Sequence, residues 1–306
     1  MARPPKLALP MVRGVSASAV ACPAGPWGSV LDFLSERLPL VARADWHARL
    51  DRGDVLDAQG QPLAPDAPYR HSTRLYYYRQ LEHEPEIPFQ AEVLFRDDWL
   101  VVADKPHFLP VTPKGRYVQQ TLLTRLKREL DLPDLTPVHR LDRETAGLTV
   151  FAVQPGCRDA YQRLFRDREV RKVYQAIAPY RPDLNFPIER SSRLQERDDA
   201  FMQMEEVAGP ANAQTRIALL ERQGALARYE LQPHSGQKHQ LRMHMCALGL
   251  PIVGDRIYPV LQAEQREPDY RDSLQLLAQT LCFEDPVSGQ RREFHTRLKL
   301  EFPAEI

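Results

Sequence analysis

The chain has 306 residues, with 41 Lys+Arg against 41 Asp+Glu and a formal net charge of zero. This balance excludes a polycation that holds nucleic acid by bulk charge, though a locally basic groove remains open. At 43% hydrophobic and 27% charged residues the composition is that of an ordinary globular protein with enough chain for a sizeable core.

No apolar run approaches the roughly 18–20 residues of a membrane span, and residues 1–14 lack the apolar stretch of a secretory signal. No membrane partner is expected. Cysteines at 22, 157, 246 and 282 form no Cys-x-x-Cys pair. Reduced thiols in a cytoplasm fit that spacing better than a disulfide scaffold or a structural zinc.

Residues 1–25 carry neither helical nor strand period and read as a tail or an irregular first strand. From 26 to 80 the pattern sharpens. Val30, Phe33, Leu34 and Leu38 recur at helical spacing, and Trp46 and Leu50 make a second short stripe. A hairpin follows, with Gly60 in its turn and an aromatic strand at Leu75–Tyr78. Residues 81–90 read as a linker, broken by Pro85 and Pro88 in an acidic stretch.

From 91 to 306 short strands alternate with a few helices. Strands are expected at 91–95, 99–104, 148–153, 172–178, 215–221 and 225–232, and helices at 120–130, 157–168, 238–248 and 271–280. The strands lack regular crossover helices, so an α+β domain with a mixed, mostly antiparallel sheet is expected.

The P-loop, GxGxxG, HExxH and GxSxG patterns are all absent. Three polar clusters carry the chemistry. In PVHRLDRETAGLTVFAV (137–153), Asp142 sits between Arg140 and Arg143 at the edge of a strand. Flanking guanidinium groups keep such a carboxylate ionised, able to act as nucleophile, base or electrostatic stabiliser. In REVRKVYQAIAP (168–179), alternation puts Lys172 and Tyr174 on one strand face, where a phenol could stack on a base. In LQPHSGQKHQLRMHMCALGLPIVGD (231–255) a strand ends in a His-Ser-Gly turn before a helix. His239 and His244 are five residues apart and do not share a helix face, so no metal site is expected.

Taken together, HRLDxxTxGL, KxY about thirty residues on, and the HQLRxHMxxLGxPIxGD block resemble the RluA-type family of RNA pseudouridine synthases. LVVADKP at 100–106 and LQLLAQTLCFEDPVSG at 274–289 add to the resemblance, which runs from about 86 to the end. The 26–80 segment resembles a small S4-type RNA-binding module, without its usual basic face.

The resemblance implies a pseudouridine synthase catalytic domain over 91–306 that isomerises uridine in structured RNA, rRNA or tRNA, without cofactor or metal. It implies Asp142 as the catalytic carboxylate, Tyr174 against the target base and Arg242 paired with Asp142. His139, Arg140, Thr145, Gly147, Lys172, His239 and Gln240 are implied as substrate-binding positions around them. A bidentate fork from Arg242 would hold Asp142 anionic and aimed. A monomer is assumed.

The chain departs from the family pattern at Ala146 (commonly Ser), at Gln237-Lys238 (commonly Arg-Thr) and at Leu277 (commonly His). Two other readings stay open: a catalytically silent RNA-binding paralogue, and a glycoside-type hydrolase. The latter needs a second carboxylate opposite Asp142, and nothing marks Glu144, the nearest acid, as that partner.

Overall fold

A computed structural model describes residues 7, 9–39, 41–79, 84–197, 202–263 and 269–303. The chain divides into two compact units, Met1–Glu84 and Pro85–Ile306. Residues 81–83 of the expected linker lie outside the described residues.

The first unit contains β1 (Ser18–Cys22), α1 (Val30–Arg37), α2 (Arg43–Asp51), β2 (Val55–Leu56) and β3 (Thr73–Tyr77). Ser29 caps α1, its Oγ accepting the Asp32 amide at 3.1 Å. The two helical stripes bury Phe33, Leu34, Trp46 and Leu50 together with Val55 and Leu75. β1 pairs antiparallel with β3 from Ser18↔Tyr77 to Cys22↔Thr73, so the stretch read as a tail or irregular first strand supplies an edge of this sheet. Its composition hid that: pairing with the aromatic strand, not an intrinsic period, makes it a strand.

Among the described residues the second unit is one 11-stranded sheet with three α-helices. In chain order it contains β4 (Glu92–Arg96), β5 (Leu100–Lys105), α3 (Leu122–Leu130), β6 (Thr136–Pro137), β7 (Ala146–Ala152), α4 (Arg158–Arg166) and β8 (Arg171–Pro179). It continues with β9 (Ile188–Glu196), β10 (Met204–Val207), β11 (Ala213–Gln223), β12 (Leu226–Pro233), α5 (Gln240–Ala247), β13 (Leu276–Glu284) and β14 (Arg291–His295). The spatial order is β10-β9-β11-β12-β8-β13-β7-β5-β4, with β14 on β13 and β6 on β7. Among the described residues only β13 and β7 run parallel. The fold is α+β with a mixed, mostly antiparallel sheet.

Alternation along β5 feeds both faces. Val102 joins Leu148, Val150 and α4's Tyr161, while Val101 and Ala103 join Leu109, Phe151 and α3's Leu122 and Leu126. A third cluster packs Leu241 and Met245 of α5 on Ala176, Tyr229 and Leu231. Among the described residues no helix is long and apolar enough to cross a membrane.

One expected helix is wrong. Within 271–280, Leu276 onward is strand β13, held between β8 and β7. Leu274, Leu277 and Leu281 fall at helical spacing, but a strand buried on both faces also reads as a near-continuous apolar run, and here the neighbours decide.

Candidate active site

The site forms where β7, β8 and the β12–α5 connection meet. Asp142 lies on the loop between β6 and β7, with its side chain 35% exposed. Tyr174 projects from the middle of β8, in register with Leu231 of β12 and Ala278 of β13. Arg242 stands in the first turn of α5, its side chain 2% exposed.

Arg242 Nη1 lies 3.7 Å from Asp142 Oδ2, within ion-pair reach, and is otherwise a buried nitrogen without a hydrogen-bond partner. The bidentate fork expected for Asp142 goes elsewhere. Arg242 Nε and Nη2 donate to Oδ2 and Oδ1 of Asp255 at 2.8 and 2.6 Å. Asp255, 1% exposed, also accepts the Ile257 and Tyr258 amides at 2.8 and 3.0 Å. Burial opposes the Arg242 charge, but the hydrogen bonds and charge of Asp255, then Asp142 and Glu144, outweigh it and raise its pKa. Arg242 is thus a clamped cation with one nitrogen left over, and that nitrogen faces Asp142.

His239 approaches the same carboxylate oxygen, its Nε2 3.9 Å from Asp142 Oδ2. Burial pushes its pKa down despite the nearby Asp142 charge. Both neighbours address Oδ2, which leaves Oδ1 as the freer oxygen. Tyr174 packs against the cluster beneath α5, and burial together with the Asp142 charge raises its pKa. It therefore stands as a neutral phenol at neutral pH.

The loop bearing Asp142 is pinned from below by residues whose role spacing did not suggest. Lys105, fully buried at the end of β5, donates from Nζ to the carbonyls of Pro106, Leu109 and Arg143 at 3.0, 2.8 and 3.0 Å. Burial lowers its pKa to about 7, with the Glu144 and Asp142 charges opposing. His107 Nδ1 meets the Glu144 carbonyl at 2.7 Å. The signal available was the LVVADKP text. Glu144 turns from the cleft chemistry to Arg143, at 2.6 Å. Burial pushes its pKa up, but the charge and hydrogen bond of Arg143, with Arg242, leave it lowered.

The remaining expected positions divide. Arg140 is exposed on the Asp142 loop. Lys172 Nζ donates to the Ser235 carbonyl at 3.1 Å, tying β8 to the turn before α5. Gln240 is saturated by that turn: its Oε1 accepts from Ser235 Oγ and the Gln237 amide, and its Nε2 donates to the Gln214 carbonyl and Thr215 Oγ1. His139 lies under the loop, stacked on Phe165 at 4.4 Å and accepting the Val150 amide at Nε2. Burial lowers its pKa to about 4. Thr145 is buried. Gly147 answers to the sheet: at φ +108° its Cα faces Ala278, whose carbonyl oxygen would stand 2.3 Å from an added Cβ. Lys238 pairs with Glu196 at 2.7 Å.

The sequence model of the RNA pseudouridylate synthase family matches residues 99–247. An uncharacterized RNA pseudouridine synthase of Synechocystis sp. is 33% identical over 232 residues, covering 75% of this chain and 79% of its own. The dual-specificity RNA pseudouridine synthase RluA of Haemophilus influenzae is 30% identical over 232 residues, covering 71% of this chain and 97% of its own. The solved human RNA pseudouridylate synthase domain containing 4 superposes with a TM-score of 0.53 at 28% identity, covering 69% of this chain and 88% of its own. The chain belongs to the RNA pseudouridine synthase family, in its RluA-type branch. It is an isomerase acting on RNA.

Proposed function

We propose that the chain converts particular uridines of structured rRNA or tRNA to pseudouridine, with Asp142 as the catalytic carboxylate. It does so as a cytoplasmic monomer without metal or cofactor. The observation that carries this reading is the buried Arg242, clamped by Asp255, with its one unpartnered nitrogen 3.7 Å from the half-open carboxylate of Asp142.

The reaction must break the bond between N1 and C1′, turn the base, and join C5 to C1′ with loss of the C5 proton. An anionic Asp142 serves either route into it, attacking C1′ as the base departs or taking the C2′ proton. Arg242 faces the carboxylate and aims it. Tyr174, a neutral phenol, offers the detached uracil a flat wall worth about 1–3 kcal/mol of stacking. The target nucleotide has to leave its stack to reach the cleft, and we assign its phosphates to Arg140, exposed on the Asp142 loop, and to Lys172, on the strand of Tyr174. The first unit, S4-like in its order of elements, is a second RNA contact.

The alternative, a catalytically silent paralogue, gives no reason to keep an ion pair in a cleft. Asp142→Asn decides between them. We expect pseudouridine formation on RNA from a deletion strain to fall at least about a thousandfold, some 4 kcal/mol of transition-state stabilisation, with RNA binding retained. Equal pseudouridine yields from the variant and the parent enzyme would refute the assignment.

A further inference from the structure

We propose that Tyr258 fixes the tautomer of His239, so that His239 presents an Nε2–H to Asp142 Oδ2 as a second, neutral donor beside Arg242. This rests on the reading of Asp142 as the catalytic carboxylate.

The inference follows from counting protons. Tyr258 is 4% exposed, and its hydroxyl oxygen accepts the Met204 amide at 2.7 Å. The same oxygen lies 3.2 Å from His239 Nδ1. A phenol carries one proton, and a backbone amide can only donate. The phenol proton has no other acceptor among the described contacts, so we assign it to Nδ1, which is bare when it accepts. A neutral imidazole with a bare Nδ1 carries its hydrogen on Nε2, the nitrogen that faces Asp142 Oδ2 at 3.9 Å. Donor contacts in substrate-free sites are commonly long and tighten once substrate is bound.

The surroundings support the same assignment. His239 sits at φ +53° where α5 begins, a left-handed conformation that costs a histidine about 1–2 kcal/mol. That conformation places the ring between Tyr258 and Asp142. Tyr258 meets the imidazole edge-on at 5.7 Å, and the Arg242 guanidinium lies 5.6 Å over the Tyr258 ring. One short turn thus supports both donors: Asp255 clamps Arg242, and Tyr258 orients His239. The charged groups acting most strongly on His239 are Asp142, Arg242, Lys238 and Asp255, with Glu196 also in range. A neutral donor steadies Oδ2 without a second full positive charge that would quench the carboxylate, and Oδ1 stays available for the ribose.

Tyr258 is on this reading a positioning residue, and long-range proton–nitrogen spectra of the imidazoles in the full chain report on it directly. His239→Gln assigns the resonances. We expect a protonated Nε2 and a bare Nδ1 for His239, and a mixture of tautomers in Tyr258→Phe. Tyr258→Phe should lower kcat about tenfold, the loss of one well-placed hydrogen bond, with KM within about twofold. In His239→Gln the amide nitrogen can stand in for Nε2 without help from Tyr258. Adding Tyr258→Phe to that variant should then cost less than about twofold, because the two residues act through one contact. A wild-type His239 protonated at Nδ1, or losses that simply multiply, would overturn the proposal. The tautomer is read without turnover. A fully active Asp142→Asn enzyme with the expected spectrum would therefore remove the assignment of Asp142 and leave the tautomer standing.

Discussion

Arg242 serves two carboxylates of unequal burial, and they should answer differently to mutation. Asp255 is 1% exposed and compensates a cation that is itself 2% exposed, whereas Asp142 is 35% exposed and can be hydrated. Removing one partner of a buried pair strands the other, at about 3–5 kcal/mol. Asp255→Asn should therefore cost stability on that scale, measured as a drop in the urea midpoint, and should disorder the leftover Nη1 enough to abolish activity. Asp142→Asn should abolish activity with the midpoint nearly unchanged. Equal midpoints for the two variants would contradict this division of labour. The sequence identified Arg242 and Asp142 but not which carboxylate takes the fork. Asp255 stood in the same block, thirteen residues beyond Arg242. Spacing cannot rank two acids that the chain brings in from different loops.

At the scale of elements the site depends on β13. This strand lies between β7, which follows the Asp142 loop, and β8, which carries Tyr174. Its parallel register with β7 pairs Leu277 with Ala146 and Ala278 with Gly147. Ala146 and Leu277 are two of the departures from the family pattern. They are register partners in one apolar cluster with Ile177 and Leu300. Gly147→Ala tests how closely the strands are bound. The added methyl would meet the Ala278 backbone at 2.3 Å, at a φ that L-residues avoid, and neither side is a flexible chain that could yield. We expect a loss of at least about 3 kcal/mol, as for other severe backbone conflicts, and a purified variant with parental thermal stability would rule it out. Amphipathic period made α3 and α4 legible in advance. β13 was not, because its first residues, Leu276–Ala278, are all buried and carry no alternation to read.

For the whole molecule, neutrality conceals unlike segments: residues 105–130 sum to +5, residues 140–172 to +3, and residues 81–99 to −5. The 105–130 stretch carries α3 and the 140–172 stretch carries the Asp142 loop and the first residues of β8. With charge confined to such segments, the salt dependence of RNA binding should be shallower than that of a polycation. Acid stability is set in part by two neutral histidines, the partly buried His139 and the buried His244. Burial lowers His139 and His244 from 6.5 to about 4. The latter sits between Ser192 Oγ and Thr215 Oγ1, each at 3.0 Å. The unfolded chain takes up these protons first, so their contribution is whole above about pH 6.5 and lost as pH falls toward 4, up to about 3 kcal/mol each. Urea midpoints taken between pH 7 and pH 4.5 should decline steadily, and a flat profile would show that neither histidine is held neutral. The motifs made it legible that Asp142, Tyr174 and Arg242 come together from loop, strand and helix. The supporting contacts of Lys105, Asp255 and Tyr258 were not, since each is defined by what it touches rather than by its neighbours in sequence. The position of β13 also bears on synthesis. β7 and β8 emerge from the ribosome about a hundred residues before the strand that joins them, so the sheet beneath the site is incomplete until the chain has passed Glu284.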